Sequence, residues 1–426
     1  MIADQELISL ERQGILLFPG SMAQSQDMTS KQVVLKSKGK TQYQTGNLMG
    51  LVQVDDEQLV IASRFSPLET DYFLHYMLAK VLDIPNLLNL VAAGGDGTNT
   101  YDFASFLFPQ SLKASLRKGV YKSYQTVEYN DSSVREGLDL ARHIRINTPF
   151  TGRVAYKQRE FTLDNPLTQL VRHTIELLKT KPHLSMVLDT AHEEISKVIE
   201  VTPSYRRADR MRVIQHAERL PIRHAYFHEY SLLQRICLFI LKQVRHGLED
   251  SPMKIHGVLF DGAWLWEEYV NTLIGEYFYH PLNKAGVGRE HLFTSERGGL
   301  TGSIFPDFIG KDRSAPVVAD AKYKPQRNIN GSDFHQILSY MFRFEADKGF
   351  FLYPCNLLDT REKNSLYRLN GGSTMAGNLH RSRDIFVEKV GLSIPQKVSS
   401  STEFAQKMEE QEQVFLSSVL EAELTV

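Results

Sequence analysis

The stretch that decides the fold of the C-terminal part of this chain runs from Gly302 to Tyr340 and reads GSIFPDFIGKDRSAPVVADAKYKPQRNINGSDFHQILSY. It contains two short apolar runs that each end in an acid, the first at Asp307 and the second at Asp320. Lys322 follows two positions after the second acid. Because residues two apart in a strand point to the same face, Asp320 and Lys322 are expected to lie side by side.

Asp307 would join this pair if the two apolar runs form neighbouring strands. The polar segment 310–314, Gly-Lys-Asp-Arg-Ser, predicts a hairpin-like connection between them. Two carboxylates at one place can share a hard divalent cation through oxygen ligands, and a lysine would then lie beside a metal-bound water. This combination predicts a site that hydrolyses a phosphodiester bond.

Helical patterns lie on both sides of this stretch. Before it, apolar residues at 265, 266, 269, 270 and 273 form one helical face, with Glu267 near its edge and Glu268 as the alternative toward solvent. After it, Asp333 is expected to cap a helix that carries Gln336 and Tyr340 on one face. Two further strands are predicted at 349–354 and 384–390, followed by a C-terminal helix with an apolar stripe at Phe404, Met408, Phe415 and Val419.

The first part of the chain is rich in short strands. Apolar runs at 14–19 and 32–36 and a hairpin over 51–62 are followed by a helix over 70–82. A glycine cluster at 93–98 lacks the lysine and hydroxyl of a nucleotide-binding P-loop, so a surface loop is expected there.

Helical spacing dominates residues 166–245, where Asp164 is expected to cap the first helix. The densest basic run lies at 206–212. It could follow a DNA backbone or dock a partner, but a solvated helix face is favoured because such runs are common on ordinary helices. The patterns together predict an α/β (α+β) chain in three parts: a β-rich N-terminal module with helices over 1–160, a helical linker region over 161–250, and a mixed sheet flanked by helices over 251–426.

Composition limits the class of protein. The 426 residues carry 49 basic and 50 acidic side chains, a net charge of −1, so any nucleic-acid binding must use a local basic surface. Two isolated cysteines, Cys237 and Cys355, give neither a zinc pattern nor a disulfide framework, as expected in a reducing cytoplasm. No signal peptide and no apolar stretch long enough for a membrane span are visible.

The sequence around the two acids resembles the PD-(D/E)xK nuclease signature, because a Pro-Asp step is followed by an apolar strand that ends in Asp-x-Lys and then by a Gln-x-x-x-Tyr helix. The motif Asp-Ala-Lys-Tyr-Lys at 320–324 resembles sequences of the McrC family, the nuclease subunits of modification-dependent restriction systems. The predicted helix around Glu267 resembles the same family. The resemblance extends from the hairpin near Leu51 to the strand near Val390. It implies that residues 251–426 form a PD-(D/E)xK sandwich.

Charge indicates the roles of most of these residues, and the resemblance implies those of Glu267, Gln336 and Tyr340. Asp307 and Asp320, with Glu267 as a further candidate, would bind Mg²⁺, for which Mn²⁺ can substitute. Lys322 would orient the attacking water, and Gln336 and Tyr340 would support the lysine and the scissile phosphate. Lys324 and Arg327, with Tyr323, are candidates for contacts with the DNA backbone.

The function implied is that of a cytoplasmic DNA endonuclease subunit for phage defence, activated by an AAA+ GTPase resembling McrB. Two alternatives stay open: a nuclease that acts alone or with another motor, and a non-catalytic DNA-binding or assembly subunit. On a purely structural interpretation, Asp320 and Lys322 are an exposed strand pair contributing about 0–1 kcal/mol. That interpretation does not explain why three charged groups converge at the ends of apolar strands.

Overall fold

The computed structural model describes residues 3–18, 32–39, 42–54, 57–66, 71–82, 100–222, 225–243, 255–281, 288–356, 364–370 and 384–421. Its α-helices are α1 Leu7–Gln13, α2 Tyr72–Val81, α3 Thr100–Leu116, α4 Leu140–Ile146, α5 Pro166–Lys179, α6 Pro182–Leu188, α7 His192–Glu200, α8 Arg210–Arg219, α9 His228–Gln243, α10 Gly262–Ile274, α11 Gly331–Phe344 and α12 Ser401–Glu421. Its strands are β1 Ile15–Phe18, β2 Leu35–Ser37, β3 Tyr43–Thr45, β4 Leu48–Val54, β5 Glu57–Ile61, β6 Ser123–Asp131, β7 Val154–Thr162, β8 Ile255–Asp261, β9 Phe278–Tyr279, β10 Glu290–Thr294, β11 Leu300–Ile304, β12 Phe308–Gly310, β13 Val317–Ala321, β14 Lys348–Asn356, β15 Ser365–Arg368 and β16 Phe386–Ile394. The predicted glycine loop at 93–98 lies outside the described residues.

The chain divides into two compact units. One is formed by Met1–Thr100 together with Pro252–Val426, and the other by Tyr101–Ser251. The divisions fall after Thr100 and after Ser251, whereas the sequence patterns predict boundaries at 160 and 250. The N-terminal residues belong to one unit with the C-terminal part because β1 and β4 pair with β8. Periodicity identifies a strand but not its partner, so this long-range pairing could not be predicted from the sequence.

The sheet that joins the two ends of the chain has the order β1-β8-β4-β5. The β4–β5 hairpin predicted over 51–62 is confirmed, as is the strand after Gly14. Strand β8 runs parallel to β1 and antiparallel to β4, with Gly50 opposite Leu259. Gly50 has φ +136, and a Cβ there would overlap the carbonyl oxygen of Val258. The close approach of β4 to β8 therefore requires glycine at this position.

The sheet of the C-terminal part has the order β15-β16-β14-β13-β12-β9. Strands β13, β14 and β16 are parallel, whereas β9, β12 and β15 are antiparallel to their neighbours. Helix α11 buries Ile337, Tyr340 and Met341 in the apolar core. Helix α12 packs against β16 and buries all four residues of its predicted stripe. The predicted mixed sheet with flanking helices is therefore confirmed.

The unit of residues 101–251 is mainly helical, with one antiparallel hairpin formed by β6 and β7. The predicted cap of α5 is wrong: Asn165 is the N-cap, and its side chain accepts from the N–H groups of Leu167 and Thr168. Asp164 instead accepts from Gln169 and from the N–H of Ser204. In the basic run, Arg206 and Arg207 are exposed, as on a solvated face.

Neither cysteine is in a disulfide, and both Cys237 and Cys355 are buried. Within the described residues, the helices are all too short or too polar to cross a bilayer.

The pairing of β4 with β8 leads to a stability prediction. We expect Gly50→Ala to lower the free energy of unfolding by at least about 2 kcal/mol more than Gly39→Ala, because an added Cβ clashes with the β8 backbone only at Gly50. Gly39 is a matched control, since it also has a positive φ, +92, but has nothing within 4 Å of the added Cβ. Urea denaturation measures both variants. Equal losses would contradict the close strand approach.

Candidate active site

Strand pairing brings Asp307 and Asp320 together. Strands β12 and β13 are antiparallel, with Phe308 opposite Ala319 and Ile309 opposite Val318, so the same register places Asp307 opposite Asp320. The N–H of Ala321 donates to Oδ2 of Asp307 at 2.8 Å. The hairpin-like connection predicted between the two acid-bearing segments is thus present.

The Asp320 carboxylate is fully buried at the end of β13. Nζ of Lys322 lies 2.6 Å from Oδ2, which confirms that the two side chains lie side by side. Lys322 thus pairs with Oδ2, while among the described residues Oδ1 has no hydrogen-bonding partner. Burial raises the pKa of the Asp320 carboxyl, and the Lys322 ammonium opposes that shift. A buried carboxylate with an unsatisfied oxygen is suited to bind a cation.

Lys322 starts a series of hydrogen bonds that ends at the carbonyl of Phe305, two residues before Asp307. Its Nζ donates to Oε1 of Gln336 at 3.0 Å, and Nε2 of Gln336 donates to the Tyr340 hydroxyl at 2.6 Å. The hydroxyl in turn donates to the carbonyl of Phe305 at 2.9 Å. The chain therefore fixes the position of the Lys322 ammonium through three partners in sequence.

Burial and the charges around these hydrogen bonds keep Lys322 and Tyr340 protonated. Burial alone would lower the pKa of Lys322, but the negative charges of Asp320 and Asp307 outweigh it and raise that pKa. Burial, together with the same two carboxylates, raises the pKa of the Tyr340 hydroxyl well above its ordinary value. Lys322 therefore stays a cation and Tyr340 stays a hydrogen-bond donor at neutral pH.

Helix α11 presents Gln336 and Tyr340, and its start differs from the prediction. Asn330, not Asp333, is the N-cap, and its side chain accepts from the N–H of Ser332. Asp333 occupies the third helical position and accepts from the N–H of Asn330, which completes a capping box. The sequence pointed to Asp333 because Asn and Asp are both good caps, and only the backbone conformation distinguishes them.

Glu267 and Asp307 both contact His280. Its Oε1 lies 3.6 Å from Nε2 of His280, and Nδ1 of His280 lies 2.8 Å from the main-chain oxygen of Asp307. Glu268 accepts from the Trp264 indole instead. Among the residues that the structure describes, no group of three or more histidine, cysteine or acidic side chains could hold a metal ion. His280 thus links Glu267 to Asp307, and no sequence pattern identifies it, because it follows a strand of only two residues.

The candidates for DNA contacts differ in accessibility. Tyr323 is 5% exposed, and its hydroxyl lies 2.7 Å from Oγ of Ser63, so the expectation that it touches phosphate is wrong. Lys324 donates to both carboxylate oxygens of Asp333, at 2.7 and 2.8 Å. Arg327 is exposed on a 3-10 turn at Gln326–Asn328. Arg327 is therefore the most accessible of the predicted backbone contacts.

The hydroxyl of Tyr340 gives a prediction about this network. Tyr340→Phe keeps the ring but leaves the Gln336 amide and the Phe305 carbonyl without this partner, so we expect a loss of about 1–3 kcal/mol in the free energy of unfolding. Tyr279→Phe, at a ring that is 59% exposed, is the control and should change little. Urea denaturation distinguishes the two. A loss in Tyr340→Phe no larger than in the control would mean that the hydroxyl is not integral to the fold.

Comparison with known proteins gives one family match. Residues 43–354 match the family model described as McrBC 5-methylcytosine restriction system component. A search of curated proteins found no match.

Two solved structures are similar to this chain. One is a refined half-complex from a tetradecameric assembly of Thermococcus gammatolerans McrB AAA+ hexamers with bound McrC; the identity is 15%, 97% of this chain and 94% of that chain are covered, and the TM-score is 0.47. The other is a cryo-EM structure of the Thermococcus gammatolerans McrBC complex, with 16% identity, 60% and 74% coverage and a TM-score of 0.28. Because the family match spans well over half of its residues, this chain belongs to the family of McrBC 5-methylcytosine restriction system components.

Proposed function

We propose that this chain is the metal-dependent DNA endonuclease subunit of an McrBC-like restriction complex. The observation that carries the proposal is the buried Asp320 carboxylate: Lys322 lies 2.6 Å from its Oδ2, and its Oδ1 lacks a hydrogen-bonding partner among the described residues. Leaving such a group unsatisfied is costly in a folded protein. A cation bound there would remove that cost, and the membership in a restriction family supports DNA as the substrate.

The donor set suits Mg²⁺. Asp307 and Asp320 offer hard oxygen ligands, and Mg²⁺ usually keeps several waters and takes only one or two carboxylates. A third acid is therefore not required, and Glu267, whose Oε1 lies 3.6 Å from Nε2 of His280, is the further candidate. When bound, the metal polarises the phosphoryl oxygen and lowers the pKa of a bound water.

The residues of this chain would then divide the remaining tasks. Lys322, held as a cation by its acidic neighbours, stabilises negative charge that develops on the phosphate and orients the water. Gln336 and Tyr340 hold that ammonium in place through the hydrogen-bond chain. Arg327 is exposed on the turn that follows Lys324 and is the candidate for a backbone phosphate contact.

The proposed partner is an AAA+ GTPase that resembles McrB. The sequence contains no complete P-loop, so a nucleotide-driven step would have to come from another chain. The net charge of −1 also argues against strong binding to DNA by charge alone. The family resemblance implies that this partner recognises the modified base.

A cleavage assay tests the proposal. Plasmid DNA is incubated with the protein, with and without the GTPase, in Mg²⁺, in Mn²⁺ and in EDTA. We expect cleavage only with metal and a loss of about 100-fold or more in Asp320→Asn, because the metal contributes several kcal/mol to transition-state stabilisation. Asp312→Asn, on the exposed turn between the same two strands, is the control and should cut normally.

The alternative of a non-catalytic assembly subunit predicts a different result. In that case no combination of metal and partner would yield cleavage by the wild type, while the protein would still raise GTP hydrolysis by the partner. Cleavage without any GTPase would instead favour a nuclease that acts alone. The two buried acids and the lysine argue for the catalytic form.

A further inference from the structure

Lys389, on strand β16, is a lysine buried inside the C-terminal part of the chain. It is 6% exposed, and a lysine is rarely buried unless its charge is satisfied. Its Nζ donates to the main-chain oxygen of Gln326 at 3.4 Å and to that of Ile329 at 3.2 Å. Nζ also lies 5.3 Å from the ring centroids of both Phe334 and Tyr367. Both kinds of contact stabilise a cation away from water.

The two carbonyls that accept from Lys389 stand at the two ends of one tight turn. The 3-10 turn Gln326–Asn328 is closed by a hydrogen bond from the N–H of Ile329 to the oxygen of Gln326, at 3.0 Å. The Ile329 side chain is buried in the core, whereas Arg327, inside the turn, is exposed. Lys389 therefore holds both ends of the turn that presents Arg327.

Ser365 holds the same turn from the neighbouring strand. It lies on β15 and is the direct cross-strand partner of Lys389. Its Oγ accepts a hydrogen bond from Nε2 of Gln326 at 3.2 Å. One cross-strand pair thus holds Gln326 by its main chain and by its side chain, so the turn is fastened to the sheet at its first residue.

The position of this turn bears on the candidate site because of where it lies in the chain. Arg327 comes five positions after Lys322, and Lys324, between them, is bound to both carboxylate oxygens of Asp333. A phosphate-binding arginine that is held in place before binding loses less conformational freedom when it binds. A fixed turn would therefore strengthen a contact between Arg327 and the DNA backbone.

We propose that Lys389, together with Ser365, is a positioning residue for DNA binding, which holds the turn so that Arg327 meets a backbone phosphate. The inference rests on the proposed function, since it takes Arg327 as a contact with DNA. Lys389 does not itself touch DNA, because its ammonium is buried under the turn. Its charge acts inside the protein, and Arg327 carries the charge that faces outward.

Binding of the purified full chain to a labelled DNA duplex, measured in EDTA over a series of salt concentrations, tests this role. We expect Arg327→Ala to weaken binding about threefold or more and to reduce the salt slope by about 0.9, the value for one phosphate contact. Lys389→Met should reduce the slope by the same amount, although Lys389 is buried, because the displaced turn carries Arg327 away from the phosphate.

Lys348→Met is the matched control. Lys348 is also buried, lies on β14 of the same sheet and contacts a ring, that of Phe350, at 5.1 Å, but its ion pair is with Glu388. Its loss removes the same charge without releasing the turn, so the variant should bind DNA with the affinity and the salt slope of the wild type.

A double-mutant cycle tests whether Lys389 acts through Arg327. If it does, Lys389→Met combined with Arg327→Ala will bind DNA no more weakly than Arg327→Ala alone, because the two changes remove one interaction. If the two losses add, Lys389 acts independently and the proposal is overturned. Should Lys389→Met fail to fold by circular dichroism, the cycle is run with Gln326→Ala, which removes the hydrogen bond to Ser365, and the same criterion applies.

The outcomes separate this proposal from the function on which it rests. If the wild type cuts plasmid with metal but Lys389→Met or Arg327→Ala binds the duplex as the wild type does, the positioning role is overturned and the nuclease proposal stands. The same holds if the wild type cuts plasmid but does not bind the duplex. A wild type that neither binds nor cuts DNA would overturn both. Equal slope changes in Lys389→Met and Arg327→Ala, with non-additivity and a normal Lys348→Met, support the positioning role.

Discussion

The burial of the Asp320 carboxylate beside Lys322 is the constraint on which the candidate site depends. Removing two charges from water is expensive, and their attraction offsets the cost only when the geometry is good. Lys322 meets this requirement for Oδ2, while Oδ1 is left without a hydrogen-bonding partner in the described part of the chain. Breaking such a pair from one side typically costs about 3–5 kcal/mol. The remaining unsatisfied capacity of Asp320 is the physical reason for expecting a cation at this place.

The rest of the site holds this pair in position from several directions. Helix α11 supplies Gln336 and Tyr340, whose hydrogen bonds connect Lys322 to the carbonyl of Phe305, two residues before Asp307. Strand β13 supplies the N–H of Ala321, and His280 supplies a donor from behind. Because these hydrogen bonds come from different elements, the site is determined by the fold as a whole and not by any local segment. Buried polar networks of this kind are favourable only when their members are satisfied together.

Several features could be predicted because they depend on local periodicity. The strands at β13, β14 and β16, the β4–β5 hairpin and the stripe of α12 follow from apolar spacing, which a packed core enforces. The contact of Asp320 with Lys322 follows from the two-residue period of a strand. The caps are less predictable: Asn165 and Asn330 act where the pattern favours Asp164 and Asp333, because Asn and Asp residues within one helical turn are equally suited to capping.

The sequence by itself determined the family resemblance, the strand that carries Asp320 and Lys322, and the helix that carries Gln336 and Tyr340. Only the tertiary structure decided that β8 lies between β1 and β4, that Tyr323 is buried against Ser63, and that Glu267 faces His280. The physical reason is range. Periodicity and capping act over a few residues, whereas these contacts join residues 13 to 260 positions apart, where many pairings satisfy the same local pattern and only the packed fold selects one.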